Sequence, residues 1–271
     1  MMGSRSLEGL SALVTGSVQG IGHAVALKLA CAGARIAVHG QASEEQARSA
    51  VRAFEAAGAP EARFFPGDLR FADEIERLMS ECQSWGPLDI LVNNAGIQRV
   101  ASLATVARET WDSVIGVNLT APFETMRRVL PSMAERGYGR VINIASVHGL
   151  VASVDKAPYV SSKFGLVGLS KVAALEYAAA GSRESGGVTV NCICPGFTET
   201  AIIEPQIVAR SAQLNGASRE DSVRSILGEK QPTGRLSHVD EIAEMALFLA
   251  QRIAHNITGT TLSIDGGWSA Q

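Results

Sequence analysis

Seven short runs of β-branched and aliphatic residues alternate along this chain with longer stretches whose apolar positions recur every three to four residues. The runs are Ala12–Thr15, Arg35–His39, Ala62–Pro66, Ile90–Val92, Arg140–Ala145, Val188–Ile193 and Thr261–Ile264. Helical patterns lie between them at about 20–32, 43–57, 71–84, 108–136, 158–180 and 238–250. Such alternation predicts a parallel sheet, because parallel neighbours need a long crossover and the crossover helices then cover both faces. Gly33, Gly58 and Gly137 stand where helices should stop. Residues about 197–236 break the rhythm with helical segments at about 204–214 and 219–228, a stretch suited to covering a pocket as a lid.

With 46% hydrophobic and 19% charged residues in 271, the chain can bury one sizeable core, so residues 10–271 are read as a single domain and 1–9 as a frayed start. A net charge of −3 offers no basic field to nucleic acid or to an anionic membrane surface. No apolar run reaches the roughly 18 residues of a membrane span. Cys31, Cys82, Cys192 and Cys194 fit neither a zinc site nor a redox pair, which points to reduced thiols and a cytoplasmic setting. Gly181–Gly187 is loop material before a strand, expected on the surface and far from any chemistry.

Thr15-Gly16-Ser17-Val18-Gln19-Gly20-Ile21-Gly22 follows the first run and opens the first helix. Glycines let a backbone turn tightly against a pyrophosphate, and a helix start offers free N–H groups and the positive end of its dipole. An ordinary glycine-rich turn is the alternative. With Asn93-Asn94-Ala95-Gly96 after the fourth run, the G-x3-G-x-G spacing resembles the short-chain dehydrogenases/reductases. That resemblance implies a doubly wound Rossmann-type α/β fold with a seven-stranded parallel sheet flanked by helices. It also implies a nicotinamide dinucleotide held by Gly16, Ser17, Gln19, Gly20, Ile21 and Gly22. Asp68 and Leu69 would border the adenine, and Asn94, Ala95 and Gly96 would line the adenosine pocket. Pro195, Gly196, Thr198 and Thr200 would hold the nicotinamide side. The second run ends Val38-His39-Gly40-Gln41-Ala42, without an acid for ribose hydroxyls or an arginine for a 2′-phosphate. No Arg or Lys lies between Gly16 and Gly22 either, so NAD is expected over NADP.

Tyr159 and Lys163 are four apart at the head of a helix and share a face, and Ser146 closes the preceding strand. A tyrosine titrates near 10; a neighbouring ammonium favours its phenolate, and a serine hydroxyl can polarise a carbonyl as charge develops. A solvated helix pair is the bland reading of Tyr-x3-Lys alone. In the resembled family, Asn118, Ser146, Tyr159 and Lys163 form a catalytic tetrad, the asparagine holding a water in a proton relay.

Gln98, His148, Lys156 and Gln206 would face the same cleft and cradle a small carboxylate. Each alone reads as surface. Within the family the pattern is similar to the D-3-hydroxybutyrate dehydrogenases. The resemblance rests on Asn93–Gln98, Ile142–Ser146, His148–Ser153, Glu229-Lys230-Gln231-Pro232 and Ile257–Thr261 running on to Asp265-Gly266-Gly267-Trp268. It implies that Ser146 and Tyr159 meet the reacting oxygen, that Gln98, His148, Lys156 and Gln206 bind the acid, and that Trp268 closes the pocket. Phe197 departs from the family's usual tryptophan, which leaves room for a longer β-hydroxy acid or loosens the lid. Competing readings are a 3-oxoacyl thioester reductase, a sugar or polyol dehydrogenase, and a non-catalytic nucleotide-binding scaffold. Resemblance alone implies a homotetramer; some relatives place a divalent cation near the C-terminus, here Gln271, but no ligand cluster supports a catalytic metal.

Overall fold

The computed structural model describes residues 5–228 and 230–270. Seven parallel strands, β1 (Ser11–Val14), β2 (Arg35–His39), β3 (Ala62–Phe65), β4 (Ile90–Asn93), β5 (Tyr138–Ile144), β6 (Gly187–Pro195) and β7 (Thr261–Ile264), stand in the order β3-β2-β1-β4-β5-β6-β7. The winding direction reverses between β1 and β4, which opens a crevice at the carboxyl ends of the strands. Strand side chains alternate between two cores. Ala12, Val14, Ile36 and Val38 pack under α1 (Gly20–Cys31), α2 (Glu44–Ala57) and α9 (Val239–Ala250), together with Val25, Phe54 and Ile242. Leu13, Ala37, Leu91 and Val141 pack on the opposite face against α3 (Ala72–Trp85), α5 (Ala121–Arg136) and α6 (Ala157–Tyr177), through Leu78, Val129 and Ala173. Both faces are buried, hence the apolar runs without alternation.

Three expectations need correction. Arg5–Gly9 is not frayed: Leu7 is fully buried and its N–H donates to the Ala32 carbonyl at 3.0 Å, while residues 1–4 lie outside the described residues. The helix expected over 108–136 is interrupted: α4 (Arg108–Ile115) passes into α5 through a π-turn at Gly116–Thr120, a widening that periodicity cannot reveal. β6 runs on to Pro195, two residues beyond its expected end, and so delivers its last residues into the crevice. The excursion holds α7 (Glu204–Gln213) and α8 (Arg219–Gly228), resting on a small cluster of their own made by Ile203, Ile207 and Ile226 with Phe197 and Leu236. The Gly181–Gly187 loop leads into the far end of β6, and the fully buried Arg140 guanidinium donates to its Gly186 and Gly187 carbonyls at 3.0 and 2.9 Å.

Candidate active site

A cleft of about 560 Å³ occupies the crevice, a volume ordinary for a small-molecule site. One end is built on the glycine turn. Gly16 and Gly20 have φ of +66° and +59°, where a side chain would be strained. A Cβ on Gly22 would sit 2.3 Å from the Gly16 carbonyl oxygen and 2.4 Å from Asn94 Nδ2, so only glycine fits there. Asn94 locks this turn to the sheet: its Nδ2 donates to the Thr15 carbonyl at 2.9 Å, and its N–H reaches Thr15 Oγ1 at 3.0 Å. Beneath it, Asn93 Nδ2 donates to Asn143 Oδ1 at 2.8 Å, Asn143 Nδ2 to Ser170 Oγ at 2.7 Å, and Thr125 Oγ1 to Asn93 Oδ1 at 2.8 Å, a fully buried network that pins β4 to β5.

Most predicted cofactor residues line the cleft: Gly16, Gln19, Gly20, Ile21, Asp68, Leu69, Asn94, Ala95, Gly96, Pro195, Gly196, Thr198 and Thr200. Ser17 and Gly22 do not. Ser17 is fully buried and turned towards β2, its N–H donating to the His39 carbonyl at 2.8 Å and its Oγ accepting from the His39 N–H at 3.1 Å. Both shape the turn from behind. His39 carries a role that sequence reading missed. Its Nδ1 accepts the Gly16 N–H at 3.2 Å, so Nε2 holds the proton and donates to the Gly67 carbonyl at 3.1 Å. Burial pushes its pKa down to about 4, so it stays neutral and joins the first turn to the loop after β3. On that loop the Asp68 carboxylate is held by Arg70, Nε to Oδ1 at 3.0 Å, which lowers its pKa.

Of the residues expected to be catalytic, Ser146, Tyr159 and Lys163 line the cleft. Ser146 follows β5; Tyr159 and Lys163 lie on the first turns of α6, with the serine hydroxyl near enough to the phenol to favour its ionised form. Lys163 Nζ donates to the Ile144 carbonyl at 2.9 Å and stands 5.7 Å from the Tyr159 ring centroid. Desolvation pulls Lys163 down to about 8 and raises the Tyr159 phenol, and the Ser146 hydroxyl opposes that rise. In the protein alone, burial therefore outweighs the ammonium effect expected from sequence. Asn118 sits in the π-turn, buried but off the cleft wall: its Oδ1 accepts the Ile97 N–H at 2.9 Å, and its Nδ2 donates to the Ile97 carbonyl at 2.9 Å and to Ser162 Oγ at 3.2 Å.

The carboxylate-cradle candidates Gln98, His148, Lys156 and Gln206 all line the cleft. Lys156 Nζ donates to Gln206 Oε1 at 3.1 Å and lies 3.5 Å from His148 Nε2. Because His148 Nδ1 donates to the Val151 carbonyl at 3.2 Å, Nε2 is the free acceptor that faces the ammonium. Burial, and then Lys156, holds His148 at about 4; burial, and then Lys230, holds Lys156 at about 8. Trp268 stacks on Phe197 at 5.0 Å and meets His148 edge-on at 5.1 Å, forming an aromatic wall. Gln231, whose stretch the sequence singled out without a role, braces this wall: its Oε1 accepts the Phe197 N–H at 3.0 Å. Among the described residues, no group of three or more His, Cys, Asp or Glu could hold a metal; Gln271, where a divalent cation was considered, lies outside them.

The family model for short chain dehydrogenase matches residues 11–209. The chain belongs to the short-chain dehydrogenases. It is 43% identical over 266 residues to the D-beta-hydroxybutyrate dehydrogenase of Cupriavidus necator, covering 98% of this chain and 100% of the relative. The enzyme of the same name from Rhizobium meliloti is 41% identical over 96% of this chain and 99% of its own. A crystal structure of a gluconate 5-dehydrogenase from Burkholderia cenocepacia, with NADP and tartrate, superposes with a TM-score of 0.85 at 32% identity, over 100% of this chain and 99% of that one. As a short-chain dehydrogenase, the protein is an NAD(P)-dependent oxidoreductase, and the glycine-built cradle at Gly16–Gly22 fits such a cofactor. No helix among its described residues is long and apolar enough to cross a membrane.

Proposed function

We propose that this short-chain dehydrogenase interconverts D-3-hydroxybutyrate and acetoacetate with NAD as its cofactor. The observation that carries the reading is the meeting of His148, Lys156 and Gln206 in the cleft that Gln98, Ser146 and Tyr159 also line. A buried ammonium and two amides can donate to one carboxylate, while the neutral His148 Nε2 accepts from that ammonium and orients it, an arrangement suited to an acid and not to a chain of sugar hydroxyls. With the acid anchored there, the hydroxyl carbon comes to Tyr159 and Ser146. Tyr159 takes the hydroxyl proton, Ser146 holds the oxygen, and Lys163 supports the phenolate form. Asn118 and Ile97 keep the neighbouring turn in place. The bound nicotinamide supplies the hydride acceptor. NAD is favoured because His39, at the end of β2, is neutral and turned inward, while Arg70 is engaged by Asp68. Phe197 in the nicotinamide loop leaves the wall slightly shorter than a tryptophan would. We assign the enzyme to the cytoplasm and to a homotetramer, the latter consistent with exposed Phe164, Val172 and Leu175 along α6.

The test offers D- and L-3-hydroxybutyrate separately with NAD or NADP and follows absorbance of the reduced nicotinamide. Rapid reduction of NAD with the D isomer alone is the expected result. Silence with both isomers, or equal rates with neutral secondary alcohols, would refute the substrate assignment, and faster reduction of NADP would refute the cofactor preference.

A further inference from the structure

Lys230 follows α8 and belongs to the Glu229–Pro232 stretch, yet the site described so far gives it no task. Its Nζ donates to Ser153 Oγ at 2.9 Å, which ties the end of the lid to the segment between β5 and α6. The same ammonium stands 5.2 Å from the centroid of the Trp268 ring, within the range where a cation is attracted to an aromatic face. Trp268 in turn contacts His148 and Phe197, and Lys156 lies 5.9 Å from the Phe197 centroid. Two ammonium groups therefore flank one aromatic wall. Each cation's charge is felt inside the cradle: Lys230 acts on both His148 and Lys156 and makes the protonated form of each less favourable. The carboxylate on the Trp268 turn, Asp265, is engaged by its own loop, accepting from the Gly267 N–H at 3.1 Å and the Ser269 N–H at 2.9 Å.

We propose that Lys230 is a positioning and specificity-determining residue: tied to Ser153 and seated on Trp268, it fixes the indole that closes the cleft and adds a second positive charge behind it, selecting hydroxy acids in their anionic form. The inference rests on the hydroxy-acid reading above. Lys230 does not line the cleft, so it acts through Trp268 and through space. Its charge reaches His148 and Lys156 across the aromatic wall, and so draws an anion in without touching the reacting carbon. Its effect should therefore fall on KM and not on kcat.

The test measures kcat and KM for 3-hydroxybutyrate and for its neutral methyl ester, with wild type, Lys230→Met, Lys230→Arg and Ser153→Ala. Lys230→Met should raise KM for the acid about ten-fold, with kcat and the ester's KM changing less than about three-fold. Lys230→Arg keeps the charge and the seat on the indole, and should keep most of the preference for the acid. Ser153→Ala removes only the tether and should lower the acid-to-ester ratio by a smaller factor. Equal losses on acid and ester in Lys230→Met would reduce Lys230 to a strut and overturn the proposal, as would no change on either. Should Lys230→Met fail to fold, an acid-to-ester ratio unmoved in Ser153→Ala overturns it. A wild type inactive on the acid refutes the hydroxy-acid reading and this inference together. Acid turnover with an unmoved ratio in Lys230→Met refutes this inference alone.

Discussion

Lys156→Met tests the carboxylate cradle most directly. Lys156 is only 7% exposed, and its ammonium already holds Gln206 Oε1 at 3.1 Å. A substrate carboxylate here would gain a charge-assisted hydrogen bond, and such bonds contribute about 1.5–3 kcal/mol. Methionine fills similar volume without the charge and leaves the carboxylate facing a neutral imidazole and amides. A loss of about 2–3 kcal/mol is expected, equivalent to about 30- to 150-fold in kcat/KM. The loss should appear in KM, since the contact is made equally before and during hydride transfer. The methyl ester lacks the anion and should lose less than about three-fold. A pH profile adds a second readout. Burial, and then Lys230, pulls Lys156 down to about 8, and its other ionisable neighbour, His148, lies at about 4 and stays neutral. The ammonium is present below its pKa and lost above it, so kcat/KM for the acid should hold through neutral pH and fall above about 8. Lys163 also lies at about 8 and serves both substrates, so only the difference between acid and ester profiles reports on Lys156. Refutation would be an acid-minus-ester profile that is flat in wild type, or an equal loss on both substrates in Lys156→Met.

Three further outcomes follow from the geometry. Tyr159→Phe should lower kcat by about 10²- to 10⁴-fold while cofactor binding, followed by fluorescence of the reduced nicotinamide, stays within a few-fold; retained turnover would remove the phenol from proton transfer. Gly22→Ala places a Cβ 2.3 Å from a backbone oxygen that cannot rotate away, so it should cost about 1–3 kcal/mol and weaken cofactor binding at least about ten-fold, checked by thermal unfolding with and without cofactor. Asn143→Leu strands the Asn93 amide and leaves Ser170 Oγ with only the weak Cys192 thiol as donor; about 2–3 kcal/mol should be lost, a Tm lower by roughly 4–12 °C, and an unchanged Tm would show that the network contributes little.

The sheet and helices were legible because each strand, buried on both faces, must be apolar throughout, and each covering helix must carry one apolar face. The glycine turn at Gly16–Gly22 and the gathering of Ser146, Tyr159 and Lys163 in one cleft were legible because the turn and the head of α6 impose local spacings. What escaped depends on contacts remote in sequence. His39 looks like a strand residue until its ring is seen joining Gly16 to Gly67, and Gln231 gains its role only from Phe197, 34 positions earlier. The π-turn around Asn118 adds a residue to a helix whose apolar pattern continues on both sides, leaving periodicity almost unchanged. Leu7 lay in a stretch too short for any period to register, yet one buried side chain and one backbone hydrogen bond suffice to dock it.

Lys156 and Lys163 show how one physical effect is put to two uses. Desolvation lowers both to about 8, but their partners differ. Lys163 is buried and bound to the Ile144 carbonyl at the end of β5, so its position does not depend on α7 or α8. Lys156 is bound to Gln206 on α7, and α7 rests with α8 on a small cluster apart from the two main cores. Few buried apolar contacts make local opening of such a segment cheap. Opening of α7 would strip Lys156 of its amide partner while it remains desolvated by its own segment. On the proposed reading, an acid held by both Lys156 and Gln206 would tie α7 to the catalytic end of the cleft, so binding and closure would favour one another, whereas Lys163 depends on β5 alone.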